Sequence, residues 1–413
     1  MQLRSCVKCK SSFRVAPPHK TKPVRCPKCK TVNRPPAEPI PPAEQTLGDA
    51  EVQAYLRMAI DEKEPPGAGV PQSVGQYDIL SELGRGGMGV VLKAHDNSLD
   101  RDVAIKMLNS GLSGNEESRL RFIREAQITG RLEHPGIVPV HALGADASGN
   151  DFFSMKLVSG RTLEEILRGW HQGDRKMRGE FSLVRLVSIF ERVCETAAFA
   201  HSHEIIHRDI KPANIMIGVY GEVWIIDWGL AATYKPQPGG AAAPRRQPLK
   251  REFAAKLTVD GFVGGTPSYM APEQAQGLPL DDGADIFALG GVLYEILTSK
   301  PPHEGESSSD VLLKAAEGKV TPVRETRRGR SAPKALAAIA EKCLAADRRD
   351  RYESVSAIIR DLRAYAEDQP LAALPENALD RLRRFGRRNG RVLAVGGSLA
   401  VMMLMVVTGA ALS

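Results

Sequence analysis

The chain has 413 residues, 42% hydrophobic and 25% charged, which supplies apolar material for a sizeable core and exceeds one small domain in length. Its formal net charge of +7 sits in two short tails: residues 1–34 hold ten Lys/Arg and no acid, residues 381–391 hold six Arg and no acid, and the remainder is net acidic. An acidic main body excludes a nucleic-acid footprint for the large domain, and the opening MQLRSCVKCK lacks the apolar core of a signal peptide, so none is expected.

In chain order, Cys6 and Cys9 form one close pair, and Cys26 and Cys29 a second after sixteen intervening residues. Four thiolates spaced C-x2-C-x16-C-x2-C can close a tetrahedron around Zn2+, and so short a segment has no other source of folding energy. Two disulfides are the competing reading, disfavoured by a cytoplasmic address and by the two-residue spacers. With cysteine at all four positions, the expected zinc-ribbon-like segment, residues 1–34, is structural and leaves no open position for catalysis. RPPAEPIPP (residues 34–42) reads as an extended linker, residues 43–64 as a short amphipathic helix and residues 65–75 as linker again. Residues 35–76 thus join the ribbon to a main domain that begins near Tyr77.

LGRGGMGVV, Leu83–Val91, carries G-x-G-x-x-G at Gly84, Gly86 and Gly89. A dinucleotide-binding turn shares this pattern but runs from strand to helix. Here the glycines lie between YDILSEL and VVLKAHD, both strand-like, which predicts a hairpin whose backbone can lie close over phosphates. RDVAIKML, Arg101–Leu108, is the next strand; Lys106 projects from its apolar run and needs an anionic partner or a path to solvent. Leu120, Ile123, Ile128 and Leu132 follow at helical spacing, and Glu125 on that helix is a partner for Lys106. IIHRDIKPANIMI, Ile205–Ile217, sets His207, Arg208, Asp209, Lys211 and Asn214 at fixed offsets. VWIIDWGL places Asp227 thirteen residues after Asn214, and GGTPSYMAPE, Gly264–Glu273, closes the series.

In this order the motifs resemble those of the eukaryotic-like bacterial serine/threonine protein kinases, from about Tyr77 to Tyr365. The resemblance implies an α+β, two-lobed protein kinase fold, with a β-rich N-lobe at 77–158 and a helical C-lobe at 159–366. It implies that Gly84–Gly89 cover the phosphates of ATP and that Val91 and Ala104 roof the adenine. Met155 in FFSMKLVSG would be the gatekeeper beside the hinge. The expected nucleotide-contacting set is then Leu83, Gly84, Arg85, Gly86, Gly87, Met88, Gly89, Val90, Val91, Ala104, Lys106, Met155 and Asp227. Lys106, oriented by Glu125, would hold the α- and β-phosphates. Asp209 would accept or orient the substrate hydroxyl proton, Lys211 would steady the γ-phosphate, and Asn214 and Asp227 would hold Mg2+. Such a set suits phosphoryl transfer, which needs positioning and charge neutralisation more than covalent help.

Lys211, two residues after Asp209, and Thr266 in GTPSYMAPE are similar to the serine/threonine branch rather than the tyrosine branch. The resemblance also implies that Asp285 holds the catalytic-loop backbone and that Arg351 pairs with Glu273. Cys194 and Cys343, on apolar helical stretches, are expected in the core. Protein substrates, bacterial signalling, and autophosphorylation through a homodimer follow as expectations. A pseudokinase that keeps the shape without turnover is the competing reading, although no catalytic position is missing.

Two features depart from the family pattern. Asp-Phe-Gly is replaced by Asp227-Trp228-Gly229, whose larger ring brings an N–H that needs a partner when buried. This change bears on switching rather than on chemistry. Residues 230–270 form a long segment in which Lys235–Phe253 is low-complexity and basic and reads as a flexible insertion. Arg208 before Asp209 suggests pairing with a phosphorylated residue of this segment, with Thr258 first and Thr233 and Ser268 behind it.

Residues 367–391 form a basic juxtamembrane segment with Arg381, Arg383, Arg384, Arg387, Arg388 and Arg391. Val392–Leu412 follows as 21 residues without a charge. At about 1.5 Å per residue it spans roughly 30 Å, one hydrocarbon core, whereas a buried core helix of this length would show a polar face. The positive-inside tendency places the preceding domains in the cytoplasm, as a single-pass protein of the inner membrane. A tail anchor and a missing outer domain both fit the single residue after the span.

Overall fold

The computed structural model describes residues 2–5, 12–15, 24–25, 32–33, 72–86, 89–109, 111, 115–146, 148–234 and 265–375. Outside them lie Cys6, Cys9, Cys26, Cys29, Gly87, Met88, Lys235–Phe253, Thr258, the juxtamembrane arginines and Val392–Leu412. Among the described residues no helix is long and apolar enough to cross a membrane.

The chain divides into two compact units, Met1–Leu47 and Gly48–Ser413. In the first, β1 (Gln2–Ser5) pairs antiparallel with β2 (Ser12–Val15), and β3 (Val24–Arg25) pairs with β4 (Val32–Asn33). Each strand pair brackets one cysteine pair in sequence.

The second unit opens with an antiparallel sheet of β5 (Ser73–Val74), β6 (Tyr77–Arg85), β7 (Gly89–Asp96), β8 (Arg101–Leu108), β9 (Val140–Ala145) and β10 (Asp151–Lys156), in the order β5-β6-β7-β8-β10-β9. The period-two alternation of β7 turns Val90, Leu92 and Ala94 into a core with Tyr77, Val103, Ile105 and Phe152. Register then decides the other face. Val91 lies opposite Lys106, and Ala104 lies opposite Met155. Val91, Ala104, Lys106 and Met155 therefore share one face of the sheet.

Helix α1 (Glu116–Arg131) packs against this sheet. Its N-cap, Asn115, accepts from the Glu117 and Ser118 amides, and Glu116 and Glu117 fall in the first turn, where the helix dipole favours acids. Phe122 and Ala126 pack with Leu108 and Phe153, the two phenyl rings 5.1 Å apart. One residue departs from the expected apolar face: Leu120 is 56% exposed, whereas Ile128 and Leu132 are buried as expected, and the buried stripe runs through Ser118, Phe122, Glu125, Ala126, Ile128 and Thr129. The face is chosen by Phe122, which fills the sheet contact completely, so a polar Glu125 one turn on is carried inward.

The second lobe contains β11 (Gly160–Thr162), α2 (Leu163–Gln172), α3 (Arg175–Glu180), α4 (Leu183–Ser202), β12 (Ile205–Ile206), β13 (Ile215–Gly218), β14 (Val223–Ile225) and β15 (Ala232–Thr233). It continues through α5 (Pro272–Ala275), α6 (Asp282–Thr298), α7 (Ser308–Glu317), α8 (Lys334–Cys343) and α9 (Val355–Ala366). Thr162 starts α2 with a reciprocal capping box to Glu165. Helix α6 is buried along almost its whole length, and α4, α8 and α9 contribute to the same core around it. Cys194 and Cys343 are fully buried there. The result is the two-lobed α+β architecture expected from the motif order.

Candidate active site

The glycine-rich hairpin closes through a 2.9 Å hydrogen bond from the Gly86 amide to the Gly89 carbonyl. A Cβ on Gly89 would lie 2.2 Å from the Met107 carbonyl oxygen, so only glycine lets β7 approach β8 at this point. Asn109 donates to the Gly86 carbonyl at 3.2 Å and braces the tip from β8. Arg85 is paired with Glu82 at 2.9 Å.

Below the hairpin, Lys106 Nζ donates to Glu125 Oε1 at 2.6 Å and reaches Asp227 Oδ1 at 3.4 Å. Burial pulls the lysine pKa down, but the charges of Glu125 and Asp227 outweigh it and leave the ammonium favoured. Burial likewise opposes ionisation of Asp227, and the charges of Lys106, His207 and Lys211 hold it below the usual carboxylate range. The Glu125 carboxyl is pushed up by burial against the pull of Lys106. Gly229 makes this approach possible: a Cβ there would sit 3.2 Å from Glu125 Oε2 and 3.3 Å from Asp227 Oδ1.

Asp209 is held from three sides. The Thr266 amide donates to its Oδ1 at 2.8 Å, while Lys211 Nζ and Asn214 Nδ2 donate to Oδ2 at 2.7 and 3.1 Å. Lys211 also reaches Thr266 Oγ1 at 2.5 Å, and Asn214 Nδ2 donates to the Asp209 carbonyl at 2.9 Å. The Ile226 amide bonds the Asn214 carbonyl at 2.9 Å, which ties the loop bearing Asn214 to the strand end before Asp227. Asn214 spends its N–H2 on Asp209, which leaves its side-chain carbonyl oxygen to serve as a metal ligand. With the Asp227 carboxylate, this oxygen set fits a hard cation such as Mg2+.

Trp228 is buried, and its indole donates to the Ile225 carbonyl at 3.1 Å. Its ring lies 4.6 Å from that of His207, whose Nε2 donates to the Ile226 carbonyl at 3.2 Å. The departure at this position therefore brings its own hydrogen-bond partner. Arg208 and Asp227 both adopt left-handed backbone, at φ 72° and 62°. Asp285 accepts from the His207 and Arg208 amides, each at 2.8 Å, and from His201 Nε2 at 2.8 Å. Arg351 pairs with both oxygens of Glu273 and also donates to the Gly283 carbonyl.

Arg208 is largely desolvated, and its Nε has no hydrogen-bond partner among the described residues. Burial lowers its pKa, Asp285 opposes that, and the Arg121 cation on α1 adds to it. The sequence reading missed His201, Gln274 and Asn109 as supports of the site. Gln274 donates to the Arg208 carbonyl at 2.8 Å. No spacing rule marks these residues, because each acts through a contact across more than twenty positions.

Comparison with known proteins places these observations in context. The protein kinase domain family matches residues 77–361. The chain is 36% identical over 298 residues to the serine/threonine-protein kinase PknD of Chlamydia caviae, covering 71% of this chain and 32% of that protein. It is 35% identical over 339 residues to PknD of Protochlamydia amoebophila, covering 78% of this chain and 33% of that one. The chain thus spans about a third of the length of these curated relatives.

Proposed function

Because the chain belongs to the protein kinase domain family, we propose that it transfers the γ-phosphate of ATP to serine or threonine hydroxyls of proteins. The observation that carries this reading is the simultaneous presence of the Lys106–Glu125 pair at 2.6 Å and an Asp209 carboxylate fixed by Thr266, Lys211 and Asn214. Phosphoryl transfer depends on such positioning.

Lys106 presents its ammonium to the α- and β-phosphates, with Glu125 fixing its direction. Asp209 orients the acceptor hydroxyl and takes its proton as the hydroxyl oxygen bonds the γ-phosphorus and the bond to the β–γ bridging oxygen breaks, releasing ADP. Lys211 stands beside Asp209 and faces the transferred group's negative charge. Mg2+, held by Asn214 and Asp227, would neutralise phosphate charge. Thr266 bonds both Asp209 and Lys211, in keeping with the serine/threonine pattern.

The reading extends to the rest of the chain. Cys6, Cys9, Cys26 and Cys29 hold a structural Zn2+, and Val392–Leu412 anchors the kinase domain at the cytoplasmic face of the inner membrane. Autophosphorylation within a homodimer serves signalling. Transfer of radiolabelled γ-phosphate to a generic basic protein, wild type against Asp209→Asn, tests the central claim. Incorporation on serine and threonine that vanishes in the variant is expected; equal incorporation in both, or none in either, defeats it. Metal content of the full chain against Cys6→Ser, and membrane fractionation with and without residues 392–412, test the two flanking assignments.

A further inference from the structure

At the far end of α6 from Asp285, α2, α3, α4, α6 and the turn before α8 line an open cleft of about 420 Å3. That volume lies in the usual range for small-molecule sites, about 300–1,000 Å3. Trp170, Leu183, Ile296, Leu297, Ala332 and Pro333 give it an apolar wall. Arg178, Arg327 and Arg328 also line it, and no acidic residue does.

The three arginines are not neutralised by ion pairs among the described residues. Arg178 donates to the Trp170 carbonyl at 3.0 Å and lies 5.7 Å over the Trp170 ring. Arg328 is held by the His171 carbonyl at 2.6 Å and by Ser299 Oγ at 2.9 Å. It also donates to His171 Nδ1 at 3.1 Å. Burial, together with the Arg328 charge, keeps the His171 pKa down at about 4, so this neighbour is neutral and accepts. Arg178 and Arg328 are thus fixed by neutral partners, and Arg327 lies exposed, with no hydrogen bond or ion pair among the described residues. Three cations beside a partly apolar wall favour an anion attached to an apolar body, which can meet both kinds of surface.

We infer that this cavity binds a small organic carboxylate with an apolar chain, the carboxylate on Arg327 within the field of Arg178 and Arg328, and the chain against Trp170, Leu183 and Leu297. The inference does not depend on phosphoryl transfer. The chain's own basic segments, Lys235–Phe253 and residues 381–391, carry the wrong charge to fill it.

The test uses the full chain in nanodiscs of a zwitterionic lipid, with empty discs as the partition blank. A decanoate bearing a terminal diazirine is photolysed and the label mapped by peptide mass spectrometry. Saturable label within residues 170–183, 296–299 or 327–333, displaced by decanoate and not by acetate or 1-decanol, is expected. Arg327→Glu should raise the half-saturating concentration about tenfold, the worth of one charge-assisted hydrogen bond. Ala332→Trp should remove the label by filling the space. Label that does not saturate, that maps elsewhere, that 1-decanol displaces as well as decanoate, or that is unchanged in Arg327→Glu overturns the assignment. Arg327 is exposed and has no hydrogen bond or ion pair among the described residues, so its substitution leaves folding intact and a null result counts.

Discussion

Asp285 Oδ1 accepts the Arg208 amide at 2.8 Å while Arg208 holds a left-handed backbone at φ 72°. A non-glycine residue in that region is strained by about 1–3 kcal/mol unless the surroundings hold it there. The buried carboxylate on α6 supplies that hold, and so it sets the direction in which the next residue, Asp209, leaves the loop.

Asp285→Asn is therefore expected to lower both stability and turnover. The amide replaces one accepting oxygen by a donor and leaves a buried backbone N–H unpaired, at a cost of roughly 3 kcal/mol. Burial opposes ionisation of Asp285, but His201, His207 and the backbone amides hold its pKa below the ordinary value. The sign follows: the native state binds this proton less tightly than the unfolded chain. The stabilisation is full above the unfolded carboxylate pKa and is lost as pH falls through the lowered native value. Urea unfolding of wild type and variant between pH 3 and pH 7, paired with kcat, checks both parts; an unchanged acid limb in the variant would contradict the assignment.

Glu125→Gln should uncouple Lys106 from its 2.6 Å partner and lower kcat/KM by roughly 10²-fold, the scale of a misplaced reacting geometry. ATP binding measured by calorimetry should weaken much less than turnover falls. Wild-type kinetics in this variant would show that the pair is ornamental to transfer.

Trp228→Phe keeps an aromatic ring beside His207 and loses only the 3.1 Å bond to Ile225. We expect a stability loss of about 1–2 kcal/mol from that bond and the smaller ring, with kcat close to wild type. Complete inactivation in the phosphate-transfer assay would give the indole a role in turnover.

His303 is buried and stacks on Phe287, and burial, with the Lys314 charge, pushes its pKa down to about 4. The unfolded chain binds this proton more tightly, so the contribution is full above about pH 6.5 and falls away as pH drops toward 4. His303→Phe should remove roughly 2–3 kcal/mol of that acid sensitivity, leaving the step that belongs to His171. Thermal unfolding at pH 4.5 and pH 7.5 measures it. The same pH difference in both proteins would place the sensitivity elsewhere.

Arg208, with a desolvated guanidinium beside Arg121, is suited to a phosphate on residues 230–270. After incubation with Mg-ATP, peptide mass spectrometry should find phosphate on Thr258 ahead of Thr233 and Ser268. Arg208→Ala should abolish the activation that accompanies it and leave unphosphorylated activity in place. A fully active preparation without phosphate at Thr258 removes that residue from the mechanism.

The order of local motifs was enough to determine the two-lobed fold and to nominate the side chains that converge around Asp209 and Asp227. The reason is physical: a glycine hairpin, a strand lysine and the loops holding Asp209 and Asp227 each need particular residue types at short spacing. Even the indole of Trp228 announced its need for a partner. Tertiary structure alone decided the supports that no motif marks, such as His201 beneath Asp285 and Gln274 beside Arg208. Phe122, by filling the sheet contact, turned Leu120 outward and carried Glu125 inward. The placement of α6 brought Asp285 and His201 together across eighty-four positions. The same helix, with α2, α3, α4 and the turn before α8, lines the arginine-rimmed cleft. Local chemistry is written in neighbouring residues, whereas a contact between distant segments depends on which face each element buries, and that is settled only when the whole core packs.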